Sequence, residues 1–176
     1  MILQNKLVIV PFGQVDKTIL GKLASPLEKA FSLKVEVLPI QGLPEGAYHS
    51  RRKQHLSTMF LEVLRSFNRE GWDRALGVTE VDLYVPGLNF VFGEADIQGR
   101  VSIISLFRLR PERSGYPGDE GLFYQRALKE AVHELGHTYG LGHCTSPLCV
   151  MFFSNSLADT DLKGTEFCPG CQKALK

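Results

Sequence analysis

The chain has 176 residues, 44% hydrophobic and 22% charged, with a formal net charge of +1. That length supports one domain with a sizeable core, and the composition is ordinary for a globular protein. Balanced charge gives no electrostatic case for binding a nucleic-acid backbone or an acidic membrane, which needs a concentrated basic surface, and no apolar run approaches the length that crosses a membrane.

The chain opens MILQNKLVIVPFG, a short apolar run that contains Lys6 and stops at Pro11 and Gly13. A secretion signal needs a longer apolar stretch and a small-residue cleavage site. The expectation is a cytoplasmic, soluble protein beginning with a strand at Leu7–Phe12. Asp16–Phe31 follows with helical spacing at Ile19, Leu20, Leu23, Leu27 and Phe31. Leu33–Ile40 alternates as a strand. After QGLPEG, an amphipathic segment from Ser50 to Asn68 carries Leu56, Met59, Phe60, Val63, Leu64 and Phe67 and stops near Gly71.

Ala75–Pro86 reads as a third strand, and Leu88–Asp96 with Arg100–Leu109 as two more in a hairpin. A polar stretch, Arg110–Gly121, leads to a helix over Leu122–Tyr139, apolar at 122, 123, 127, 128, 131, 132 and 135. The order β-α-β-α-β-β-β-α predicts an α/β fold: a mostly parallel sheet with one antiparallel member, followed by an irregular tail from residue 143. The compositional boundary near Cys144 divides a single domain, 1–176, into a main part, 1–142, and a small C-terminal part, 143–176.

Three of the five histidines fall in His133–His143. His133 and His137 are four apart on the predicted helix, so both rings lie on one face, close enough to share a metal ion. Glu134 sits on the same turn and reaches a water on that ion. Gly140 ends the helix, Gly142 adds freedom, and His143 swings back as a third ligand. Three histidines leave the fourth position of a tetrahedral zinc open, as catalysis requires. The alternative is a core helix with chance histidines. The full HExxHxxGxxH pattern arises by chance in a chain of this size roughly once in 10⁵, which favours the metal.

HELGHTYGLGH resembles the zinc signature of the metzincin metallopeptidases. Its continuation, CTSPLCVMFFSNS and then FCPGC, is similar to the archaemetzincin family, in which a cysteine follows the third histidine directly and a CxxC pair comes last. The motifs cover Glu130–Cys171; upstream, ALGVTEVDLY and the order of elements also agree. The resemblance implies a zincin-like fold: a twisted five-stranded mixed sheet, a long active-site helix and a small zinc-bound C-terminal part. It implies a catalytic zinc on His133, His137 and His143, with Glu134 as general acid and base. It further implies that Met151 belongs to a Met-turn, an apolar floor beneath the metal; as a residue alone Met151 reads as core filler.

The four cysteines, Cys144, Cys149, Cys168 and Cys171, form two close pairs separated by 18 residues. Such pairing suits a closed thiolate zinc site, and the resemblance supports this second, structural ion, giving two Zn²⁺ per chain. Two disulfides or a redox CPGC are the alternatives, both disfavoured in an unsecreted chain.

The activity implied is hydrolysis of peptide bonds by a zinc-bound water that Glu134 deprotonates, with the proton then passed to the leaving amine. By analogy with metzincins, substrate pairs with the strand Leu88–Asp96. Some metzincins carry a tyrosine two residues after the Met-turn methionine; here that position is Phe153. The direction of Tyr139 is open. No masking pro-segment is evident, so narrow specificity or a covered cleft is expected to restrain activity.

Arg51, Arg52 and Lys53, and the cluster Arg100, Arg108, Arg110 and Arg113, read as solvated faces; the second cluster has the alternative of binding a substrate carboxylate. His49 and His55 read as exposed or locally satisfied, and Trp72 as packing at a helix–strand junction. The competing functions are a zinc protein that binds a peptide or protein partner with little turnover, and a zinc-ribbon nucleic-acid binder, which the neutral charge disfavours. A monomer acting on peptide or protein substrates, with neither nucleic acid nor membrane as partner, is the expectation.

Overall fold

A computed structural model describes residues 6–67 and 71–175. Strand β1 (Lys6–Phe12) alternates its side chains between two cores, with Leu7 and Ile9 on one face and Val8, Val10 and Phe12 on the other. Asp16 then caps helix α1 (Lys17–Phe31) by accepting the Thr18 N–H at 2.8 Å. Strand β2 (Lys34–Val37) lies parallel to β1. It is shorter than predicted, but the Leu38 and Gln41 N–H groups still donate to Ile9 and Pro11. Pro39, lacking an N–H, breaks the ladder between them.

The predicted helix from Ser50 begins only at Ser57. Before it, β3 (Tyr48–His49) and β4 (Gln54–Leu56) form a hairpin whose turn is closed by Arg52 and Lys53 N–H groups on the His49 carbonyl. Arg51–Lys53 offers no apolar face to bury, so it turns. Helix α2 (Ser57–Ser66) starts where the spacing of Phe60, Leu61 and Leu64 becomes helical; Asn68, its predicted end, lies outside the described residues.

Strand β5 (Arg74–Thr79) is buried throughout. The predicted strand to Pro86 splits here, because β6 (Leu83–Tyr84) leaves to pair with β4 in a second, three-stranded sheet. The hairpin of β7 (Gly93–Asp96) and β8 (Val101–Ser105) is present, shorter than predicted. Helix α3 (Glu120–Thr138) is capped by Asp119, which accepts the Leu122 N–H at 2.9 Å. In the tail, where irregular structure was expected, lie two six-residue helices, α4 (Leu157–Leu162) and α5 (Pro169–Ala174).

The main sheet has the order β2-β1-β5-β8-β7, with only β7 antiparallel, the α/β arrangement predicted. Helices α1 and α3 share a core with one face and α2 packs on the other. Trp72 packs into the α2 core beside β5, as expected. Strand β7 is therefore an edge, directly above α3.

Candidate metal centre

Helix α3 carries two kinds of buried residue. Phe123, Ala127, Ala131, Val132 and Leu135 are the apolar stripe that the spacing predicts. Arg126, Lys129, Glu130, His133 and Glu134 form a second, polar stripe that is also buried. Charged groups enter a core only when paired. Arg126 makes a bidentate pair with Asp161, both bonds at 2.7 Å. Lys129 donates to the Thr160 and Asp161 carbonyls, both at 3.0 Å. Glu130 lies 3.2 Å from Lys163, whose side chain has no solvent exposure. The polar stripe thus docks α4 and holds Lys163, at its C-terminal end, beside His133.

Gly140, at φ +85°, reverses the chain after α3. His143 is thereby returned to His133 and His137, and the donor atoms of the three lie within 4.8 Å of one another. The His133 and His137 Nε2 atoms are 3.1 Å apart. Two nitrogens on one tetrahedral zinc are separated by roughly 3.3 Å, so the spacing fits. The other ring nitrogens face carbonyls: His133 Nδ1 lies 2.8 Å from Val150 O, and His137 Nδ1 2.7 Å from Leu141 O. Donating Nδ1–H to a carbonyl leaves each Nε2 lone pair free for a metal. Burial, then the Lys163 charge, brings His133 down to about 3, so the ring stays neutral, the form that binds metal.

Glu134 turns toward the same space. It fits because residue 93 of β7 is glycine: a Cβ there would meet Glu134 Cγ at 2.6 Å and the Ile103 carbonyl at 2.6 Å. Burial, then Glu130, pushes the Glu134 carboxyl well above the usual carboxylate range; Lys163 opposes this and Glu94 adds to it. Residues 88–93, the three histidines, Glu134 and Phe153 line an open cleft of about 390 Å³.

Met151 is fully buried under the helix, its sulfur against the bare backbone of Gly136. Phe153 packs beside His143, ring centroids 4.7 Å apart. Tyr139 points elsewhere, stacking on Phe31 with Arg74 over its other side.

The four cysteine sulfurs also lie within 4.8 Å of one another, and none is in a disulfide. Cys144 and Cys168, from different pairs, are 3.8 Å apart, and sulfurs on one tetrahedral zinc are roughly 3.8 Å apart. Backbone N–H groups of Ser146 and Cys168 point at Cys144 and Cys149 Sγ, and the N–H of Cys171 is the main cause that draws Cys168 down to about 7. Such bonds favour thiolates. One four-sulfur cluster is not the arrangement of two local disulfides. The clusters communicate through the chain, because Cys144 N–H donates to Met151 O and Phe152 N–H to Cys149 O, both at 2.9 Å.

A family model described as Peptidase family M54 matches residues 32–176. The chain belongs to peptidase family M54. It is a zinc metallopeptidase of archaemetzincin type, as its motifs imply. It is 44% identical to archaemetzincin of Methanocaldococcus jannaschii over 100% of this chain and 96% of that one. The crystal structure of archaemetzincin from Methanopyrus kandleri matches with TM-score 0.86 at 40% identity, covering 98% of this chain and 94% of that one. A zinc-dependent peptidase from Methanocorpusculum labreanum matches with TM-score 0.87 at 27% identity, covering 97% and 100%. M54 membership makes peptides or proteins the substrate, and among the described residues no helix is long and apolar enough to cross a membrane.

The structure corrects several expectations. Arg100 is exposed, as expected, but it, Arg108 and Arg110 are each paired with a carboxylate, of Asp73, Asp82 and Glu80, and the last two are half-buried. Arg51, Arg52 and Lys53 are exposed as expected, and Arg52 in addition donates to the Leu88 and Asn89 carbonyls at 2.6 and 3.0 Å and so braces the rim of the cleft. His49 and His55 lie in the three-stranded sheet, outside the histidine cluster; His55 Nδ1 is buried with no partner among the described residues. Gly93, Glu130, Gly136 and Lys163 shape the centre and escaped the sequence reading. One signal was present: glycine inside a helix is unfavourable, so Gly136 within HELGH asks for a packing reason.

Proposed function

We propose that His133, His137 and His143 hold the catalytic zinc of this M54 peptidase and that Glu134 is its general acid and base. The convergence of three imidazole nitrogens beside a buried carboxyl carries the reading. When bound, the zinc supplies Lewis-acid polarisation of the scissile carbonyl and lowers the pKa of water. Glu134, held beneath Gly93, takes the proton of the attacking water and returns it to the leaving amine. The Val150 and Leu141 carbonyls keep the rings of His133 and His137 in register. Substrate lies extended along residues 88–93, adding to the exposed edge beside β7. Met151 is the floor of the centre, with a structural role.

Cys144, Cys149, Cys168 and Cys171 hold a second, structural zinc, giving two ions per chain. The chain works as one catalytic domain, with a main part, 1–142, and a C-terminal part, 143–176, that its metal stiffens. The reduced, clustered thiols favour a cytoplasmic protein. Balanced charge gives no electrostatic case for nucleic-acid or membrane partners, and a monomer is the simpler assembly.

The test is a diverse peptide library incubated with zinc-loaded protein and read by mass spectrometry, beside Glu134→Ala. Cleavage by the parent alone, with equal zinc in both, is expected. Loss of zinc from Glu134→Ala would overturn the role given to Glu134. No cleavage by a fully loaded parent would favour the binding-protein reading.

A further inference from the structure

Beside the catalytic cleft lies a second one of about 630 Å³, contiguous with it through Phe90, Phe92 and Asn155. Its walls are aromatic and aliphatic, including Phe107 and Leu157. Among the described residues, its only charged lining side chains are those of Arg108 and Arg113, and no carboxylate lines it.

The two arginines differ. Arg108 is neutralised by Asp82, in a bidentate pair at 2.7 and 2.8 Å, and its guanidinium lies over Phe90. Neighbouring Arg110 is likewise consumed by Glu80. Arg113 has no carboxylate or hydrogen-bond partner for its guanidinium among the described residues. It is held by Phe107 alone, 4.0 Å from the ring centroid. Stacking orients the guanidinium and leaves its donors free, so the cleft presents one uncompensated positive charge above apolar walls.

We propose that this cleft is the specificity subsite of the peptidase and that it takes a carboxylate-bearing substrate residue. The carboxylate pairs with Arg113, and the apolar walls receive the methylene stem. The proposal rests on the M54 site reading, since it places the subsite one residue or two from the scissile bond. The carboxylate has two possible sources, an acidic side chain or the C-terminus of the substrate.

Two assays on the zinc-loaded protein test this. In the first, matched peptide pools carry Glu or Gln at each position around the cleaved bond, with amidated ends, and a third pool carries Gln with a free C-terminus. In the second, the same pools, fluorescently labelled, bind to Glu134→Ala and are followed by anisotropy. An exposed charge pair supports a preference of about twofold to fivefold, shrinking at high salt. Glu over Gln in amidated pools identifies a side chain; free over amidated C-terminus identifies the terminus. Arg113→Gln is expected to bring the preferred ratio to about one, and Arg113→Glu to reverse it, so that the uncharged member of each pair is preferred. Arg51→Gln, remote from the cleft, retains it. Charge-indifferent profiles, or a preference that survives Arg113→Gln, would overturn the proposal. Binding that discriminates by charge without any cleavage would sink the peptidase reading and leave the subsite standing.

Discussion

Met151 occupies the space where a side chain at position 136 would begin. A Cβ on Gly136 would meet the Met151 sulfur at 2.5 Å and the Phe167 ring at 3.2 Å. The floor of the centre and the helix bearing two histidines are thus in contact at the one turn between His133 and His137. Gly136→Ala is expected to destabilise by about 1–3 kcal/mol through overpacking, partly offset by about 1 kcal/mol of helix propensity. Met151→Ala empties the same space and costs about 2–5 kcal/mol. The double variant should cost less than the sum, which urea denaturation in a mutant cycle reads directly. Strict additivity would show that the contact carries no energy.

Gly93 and Glu134 obey the same logic across the cleft. Gly93→Ala would drive its Cβ against the Glu134 side chain. The expected result is a fall of at least about tenfold in kcat with zinc content unchanged, since a misplaced catalytic group loses about that much or more. Full activity would mean that Glu134 is not held by this strand.

Lys163 and Glu130 form an ion pair with side-chain exposure of 0% and 3%. Lys163→Met leaves the Glu130 carboxylate buried without its cation and should cost about 3–5 kcal/mol. Replacing both, by Lys163→Met with Glu130→Gln, should restore part of that loss in the same denaturation assay.

The cysteine cluster should govern metal count. Elemental analysis of the parent is expected to give two zinc per chain, and Cys168→Ser about one, with residues beyond 143 newly open to limited proteolysis. Retention of two ions by that variant would remove the cysteines as ligands.

Acid should loosen the metal-free protein at His133. The titratable groups acting on His133 are Lys163, His137 and His143, and burial with the Lys163 charge brings it down to about 3 against 6.5 for the free side chain. Between those values the unfolded chain binds the extra proton. The contribution of His133 is therefore full above pH 6.5 and is lost as pH drops toward 3, while the raised Glu134 carboxyl acts in the opposite sense. Thermal melts of zinc-stripped Glu134→Gln, which removes that opposing carboxyl, should show a Tm that falls across this range, and a flat profile would contradict it.

Much of this was legible in the sequence because periodicity reports burial. Strands β1 and β5 and helices α1 and α3 bury the faces that their spacing marks. Ser50–Leu56 misled because apolar residues further on extended a helical pattern backward across a polar turn. The histidines and cysteines were legible because their spacing is local. Lys163 was not, since its partners Glu130 and His133 lie far back in the chain and nothing in DLKG marks a lysine for burial. Gly93 was hidden for the same reason: its need arises from Glu134, on another element.

The dependence of α3 on Thr160, Asp161 and Lys163 has a consequence for the growing chain. Synthesis delivers HELGH well before the segment that neutralises Glu130 and receives Lys129. Until then the helix has charged groups with no partners at the place where its core must close. The centre therefore closes only after a later-made segment, Thr160–Lys163, has folded back onto α3.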